Sequence, residues 1–254
     1  MKKVSILITS FNAEKTIERS LKSSLNQDFI DYEIVVVDDG STDGSQKIIK
    51  KFKNKKIKKF LLKKNIGRTK ALNYGLNRCN SKYIAILDSD DTSTKNRLNK
   101  QYKFLEKNKN IDLVCSFYKL KIFNTKLKIM SFPNLNIFKE KLKYTNLVAH
   151  SSVMYRKNVV KKRKIYNTNF LYAQDYEMIL KFLKKDKIDF IPECLSTINV
   201  NDESMSKSDK YKKIVIFERV KLLLFSIKNF KFSLNKRIYI WLTMIYLMVK
   251  YYLV

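Results

Sequence analysis

The chain predicts an α/β fold, a mostly parallel sheet flanked by helices, followed by a helical basic tail. Short β-prone apolar runs at residues 4–8, 33–37, 57–62 and 83–87 alternate with helix-like stretches through the first hundred residues. Such alternation implies right-handed βαβ crossovers. Polar clusters follow three of these runs, at 9–12, 38–43 and 88–91. Ligands of open parallel sheets sit beyond the carboxyl ends of the strands, so the topology gathers the clusters at one edge.

Each element has a local reason. Residues 4–8 are apolar, and a helix is expected from about Ala13, with Asn12 as its N-cap and Ile17, Leu21 and Leu25 on one face. The run at 33–37 is β-branched and ends in the turn-rich segment 38–44. Residues 57–62 form the third strand, 65–67 a turn, and a helix then runs through Cys79. Residues 83–87 form the fourth strand; Leu98, Tyr102 and Leu105 mark an amphipathic helix over 97–107, and 113–123 reads as another strand. Beyond residue 130 the alternation weakens. Residues 151–155 suit a strand preceded by His150, the only histidine, and a helix opens near Ala173 with Ile179, Phe182 and Leu183 as its stripe.

Composition bounds the function. At 254 residues and 45% hydrophobic content the chain buries a large core, and wholesale disorder is excluded. A formal charge of +30, from 53 Lys+Arg against 23 Asp+Glu, favours anionic partners: nucleotides, nucleic acid or an anionic membrane face. Lysine is spread throughout, however, and the acid-free stretch 47–64 offers only Phe52 and Phe60 for stacking. It reads as a solvated face, which disfavours nucleic acid. Cys79, Cys115 and Cys194 are odd in number and lack CxxC spacing, as free thiols in a reducing compartment do. Residues 1–3 lead straight into 4–8, too short for a signal core, so a cytoplasmic location is expected.

Residues 84–87 read as a buried strand, and Asp88, Asp90 and Asp91 at its end cannot stay buried unpaired. Two carboxylates separated by Ser89 suit a hard divalent ion that also grips substrate phosphates. Asp175 sits near a helix start, where it either complements the dipole or serves as a general base. The tail over 214–254 mixes apolar clusters with Lys and Arg, as an amphipathic helix lying in a membrane interface does; packing on the catalytic domain or a partner chain, or a true span, are the other readings.

These residues resemble the family 2 glycosyltransferases, which share the Rossmann-like GT-A fold. The resemblance covers roughly residues 2–206 and rests on segments 4–12, 34–45, 65–75 and 83–91 and on Arg97. It implies a glycosyltransferase domain over 1–206, with a nucleotide-sugar half (1–124) and an acceptor half (125–206), and a tail over 207–254. By the same resemblance Thr9, Ser10 and Phe11 border the base pocket and Asp39 accepts a hydrogen bond from the base. Asn65 and Gly67 form the turn beside it. Asp88, Ser89 and Asp90 match the DXD motif, with Asp88 toward the ribose and Asp88 and Asp90 at a Mg²⁺ or Mn²⁺ ion; Asp175 matches the catalytic base. Leu72 stands where relatives often carry Arg, with Arg68 as the substitute to consider. Asn199 and Asn201 stand where many have Arg and His before a Ser-x-Ser aligned with Ser204 and Ser206.

The expected activity is inverting, metal-dependent transfer from a UDP-sugar to a cell-surface glycan or lipid-linked glycan acceptor, at the inner face of the cytoplasmic membrane. The rival is a noncatalytic nucleotide-sugar or membrane-surface binding protein on the same fold, which the missing Arg and His would suit.

Overall fold

The computed structural model describes residues 2–122, 126–161, 165–200 and 211–253. The elements run β1 (Lys2–Ser10), α1 (Ile17–Leu25), β2 (Tyr32–Asp38), α2 (Ser45–Lys51), β3 (Ile57–Leu61), α3 (Arg68–Leu76), β4 (Ser81–Ile86), β5 (Thr92–Ser93) and α4 (Arg97–Lys107). There follow β6 (Leu113–Ile122), β7 (Lys126–Met130), α5 (Leu135–Leu142), a single 3₁₀ turn (His150–Ser152), β8 (Met154–Arg156), α6 (Asn158–Lys161), α7 (Gln174–Lys184), β9 (Ile188–Val200), α8 (Lys212–Asn229) and α9 (Leu234–Leu253).

One sheet orders them β3-β2-β1-β4-β8-β6-β9-β5, with β7 beside β6. From β3 to β4 the pairing is parallel, as the alternation of strands and helices predicts. Beyond β4 it is mixed: β8 runs antiparallel to both β4 and β6, while β9 is parallel to β6. The β2 strand is buried along its whole length, which is why it reads as an unbroken apolar run.

Alternate residues of the central strands feed opposite cores. Leu7, Val35, Val37, Ile84 and Ile86 pack with α3, α5 and α7 on one face. Ile6, Ile8, Ile34, Val36 and Ala85 pack with α1 and α4 on the other. Leu222 of α8 belongs to the first core, and a smaller cluster of Ile216, Leu223, Ile240, Met244 and Leu247 joins α8 to α9.

Three local expectations are corrected. The first helix begins at Ile17 behind Thr16, and Asn12 does not cap it. Asn12 is left-handed, with φ of 48°, and its Oδ1 accepts from the Thr42 N–H at 2.9 Å. Asparagine tolerates that region, and here it ties the first strand-end loop to the second. The helix expected through Cys79 ends at Leu76. Ser151 and Ser152 belong to the 3₁₀ turn rather than to a strand. Among the described residues no helix is long and apolar enough to cross a membrane.

Candidate active site

The carboxyl ends of β1 and β2 build the first part of the site. The Ser10 carbonyl accepts from the Asp39 N–H at 2.7 Å, joining the two strand ends. Asp38 is fully buried and accepts from the Ser41 N–H (2.9 Å), the Ser41 hydroxyl (2.6 Å) and Gln46 Nε2 (2.8 Å). Asp39 receives the Ile66 N–H on Oδ1 at 2.8 Å and the Gly67 N–H on Oδ2 at 3.0 Å, so it holds the turn that starts α3. Each of its oxygens keeps a lone pair for a further donor. Burial raises the Asp39 pKa, against those two hydrogen bonds.

The backbone requires glycine once here. Gly40 has φ of 71°, and a Cβ on it would lie 2.3 Å from the Lys64 carbonyl carbon. Only a residue without a side chain lets the two loops approach this closely. Phe11 is half exposed at the mouth, Thr9 is half-buried, and Asn65 accepts from the Gly67 N–H. The Ser10 hydroxyl is buried and finds no partner among the described residues, which fits a group reserved for a ligand.

The second part lies beyond β4. Both oxygens of Asp88 accept from Arg68 Nη2 at 2.8 Å, and His150 Nδ1 lies 3.5 Å from Oδ1. Burial pushes the Asp88 pKa up, but Arg68 and His150 outweigh it and hold the carboxyl well below its ordinary range. Burial likewise disfavours charge on Arg68, which Asp88, Asp175 and Asp90 overcome. Asp91 is consumed structurally: it accepts from the Ser151 hydroxyl at 2.5 Å and the Asn199 N–H at 2.9 Å. Asp90 forms no salt bridge among the described residues, and burial together with Asp88 raises its pKa. Its own carbonyl is held by Arg19 Nη2 at 2.8 Å and Asn199 Nδ2 at 2.9 Å. Ser89 is half-buried between the two aspartates.

A divalent ion fits Asp90 because that carboxylate alone in the cluster lacks a cation or a pair of hydrogen-bond donors. Asp88, the other expected metal carboxylate, would have to share its oxygens with Arg68. Among the described residues no group of three or more His, Cys, Asp or Glu could hold a metal, so an ion held here would take its other ligands from substrate phosphates and water, as Mg²⁺ commonly accepts.

Surrounding residues set the loop rigidly. Arg97 is buried and donates to the Ile86 and Val153 carbonyls at 2.8 and 3.0 Å, fastening β4 to the segment entering β8. His150 is also buried, with Nε2 2.7 Å from the Tyr166 hydroxyl. Asp175 lies in the first turn of α7, half-buried, with Asn146 Nδ2 donating to Oδ2 at 3.4 Å, and its charge is felt at Arg68. Of Asp88, Asp90 and Asp175, only Asp88 pairs with the Arg68 guanidinium among the described residues. Leu72, where the resemblance led to the expectation of Arg, is fully buried in the core, while Arg68 one turn earlier faces Asp88. Asn201, Ser204 and Ser206 lie outside the described residues. Ser151, Tyr166 and Glu218 were not expected at the site, and Asn199 was expected only as the residue standing where the resemblance implies Arg or His.

The sheet order and the helices that flank it define the class. They are those of a GT-A protein, and the fold of Staphylococcus aureus TarS solved in complex with UDP superposes with a TM-score of 0.71 at 24% identity, over 96% of this chain and 70% of that one. The family model "Glycosyl transferase family 2" matches residues 5–170. A glycosyltransferase of Methanocaldococcus jannaschii, itself uncharacterised, is 31% identical over 257 residues, 98% of this chain and 87% of its own length. An Escherichia coli UDP-Glc:alpha-D-GlcNAc-diphosphoundecaprenol beta-1,3-glucosyltransferase is 32% identical over 187 residues, covering 73% of this chain and 72% of that protein. The chain belongs to glycosyltransferase family 2, and is an enzyme of that family.

Proposed function

We propose that the enzyme transfers a sugar from a UDP-sugar, with inversion at the anomeric carbon, to a lipid-linked precursor of a cell-surface glycan. The observation that carries this is the Asp88–Arg68 pair at 2.8 Å, with Asp90 in the same loop left without a salt bridge among the described residues, beside the turn that Asp39 holds. Phe11 lies against the uracil ring and Asp39 accepts from it; Asp88 faces the ribose. Asp90, with Asp88, would hold Mg²⁺ or Mn²⁺. When bound, that ion supplies Lewis-acid neutralisation of the departing diphosphate. Asp175 takes the proton of the acceptor hydroxyl as its oxygen bonds to the anomeric carbon. UDP leaves from the opposite face, so one base suffices for a single displacement. The lipid-linked acceptor is suggested by the E. coli relative, whose name specifies a diphosphoundecaprenol substrate.

Replacing Asp175 with Asn tests this reading. UDP affinity should stay within about twofold while transfer falls by a factor of about 100 or more, the scale of general-base catalysis. Near-native transfer would remove Asp175 from the reaction.

We place the protein on the inner face of the cytoplasmic membrane by α9, which exposes Trp241, Leu242, Ile245, Tyr246 and Val249 between Lys236 and Lys250. A basic helix with an aromatic and aliphatic outer face suits an anionic bilayer surface. Sedimentation with phosphatidylglycerol vesicles should be strong, and lost when Trp241 and Ile245 become Ser. Retention by that variant would contradict the placement.

A further inference from the structure

Glu218 is the only acidic residue between 211 and 253, yet it is buried within α8 rather than set among the lysines at the surface. Its carboxylate caps the loop that enters α7. Oε1 accepts the Leu171 N–H at 2.5 Å, and Oε2 accepts those of Tyr172 and Ala173 at 3.0 and 2.8 Å. Asp175 follows two residues later, in the first turn of α7. Peptide N–H groups at a helix start have no partners inside the helix. A buried carboxylate that satisfies three in a row fixes their direction, and these charge-assisted hydrogen bonds offset its own desolvation.

The same loop is gripped from the nucleotide side. Thr69 Oγ1 in α3 donates to the Phe170 carbonyl at 2.7 Å. Gln174, with its amide turned to meet the neighbouring carbonyls, donates to Leu171 and Tyr172 and accepts from Arg68 Nε at 3.3 Å. Segment 170–174 is therefore clamped between α3, which carries the Asp88 partner, and α8, which lies beyond the region matched by the family model. Tyr211, just before α8, packs its ring against Tyr172 at 5.1 Å, adding an aromatic contact to the charged one.

We infer that Glu218 is a positioning residue for the transfer reaction: through the 171–173 amides it holds the start of α7 so that Asp175 faces the donor. The C-terminal helices thereby serve the active site as well as any surface they dock on. This rests on the reading of Asp175 as the base. Glu218→Gln keeps the size but turns one acceptor into a donor aimed at N–H groups, and removes the charge. Glu218→Asp keeps the charge on a shorter arm and serves if the first variant does not fold.

The experiment compares the full-length native chain, both variants and Asp175→Asn. UDP release is followed with UDP-glucose, UDP-galactose and UDP-N-acetylglucosamine in Mn²⁺; UDP affinity and hydrogen exchange of peptides covering 168–178 and 81–91 are measured alongside. Glu218→Gln should lower kcat at least about tenfold with UDP affinity unchanged, speed exchange in 168–178 and leave 81–91 protected; Glu218→Asp should fall between. Adding it to Asp175→Asn should cause no further loss. Native-rate release by folded Glu218→Gln beside a dead Asp175→Asn overturns the positioning role alone. An active Asp175→Asn overturns the base assignment and this inference with it. If no donor is turned over, exchange decides, and unchanged protection of 168–178 overturns the clamp.

Discussion

Two acidic loops flank the end of β1, one after β2 and one after β4, and in sequence they look alike. In the structure they are neutralised by opposite means. Asp38 and Asp39 are answered by backbone N–H groups, a hydroxyl and an amide, with no ion pair among the described residues. Asp88 is answered by a guanidinium and Asp91 by neutral donors, while Asp90 is left without either. A carboxylate bonded by fixed N–H groups is part of the scaffold and reads a ligand through its spare lone pairs. A half-buried carboxylate without a cation either takes up a proton or is met by a cation from outside, and the proposed function assigns it the second. On the proposed function the first loop recognises the base and the second is completed by an ion.

The sharpest way to break the contrast is at the backbone of the first loop. Gly40→Ala brings a Cβ within 2.3 Å of the Lys64 carbonyl carbon at a φ of 71°. The left-handed conformation alone costs about 1–2 kcal/mol, and the overlap adds to it. Urea unfolding should show a loss of at least that size together with weakened UDP binding. A silent Gly40→Ala would mean that the close approach of the two loops is not required.

A smaller effect separates recognition from folding by pH. The folded-state pKa of Asp39 is raised, with burial as the main cause. Stability from this group is therefore fully present below the unfolded pKa and is lost as pH rises through the folded one. On the proposed function, base recognition by Asp39 needs the ionised carboxylate and runs the other way. As pH falls through the raised pKa, UDP affinity should drop while the Asp39 contribution to stability grows, and Asp39→Asn should abolish both trends. Parallel loss of affinity and of that contribution would contradict the assignment.

The strands were legible because burial on both faces leaves an unbroken apolar run, as 84–87 shows. The strand-end clusters were legible because polar residues after such runs have one topological destination. Asn12 misled, since a residue that favours helix caps also tolerates a left-handed turn, and only the second loop reveals which use applies. The partners of the acidic cluster were hidden by distance along the chain: Arg68 is 20 residues from Asp88, Ser151 is 60 from Asp91, and Asn199 is 108 from it. No local pattern encodes those pairings. Glu218 did leave a signal, a lone acid within the apolar, lysine-rich segment 211–253, which a charge-segregated surface helix would not need.

The most direct test of the second loop measures UDP affinity by titration calorimetry with Mn²⁺ and with EDTA, for the native chain and Asp90→Asn. Native affinity should rise in Mn²⁺, whereas the variant should bind UDP in Mn²⁺ no better than in EDTA and match the native chain in EDTA. An equal gain from Mn²⁺ in both proteins would show that Asp90 is not the carboxylate awaiting the ion, and the contrast between the loops would fall.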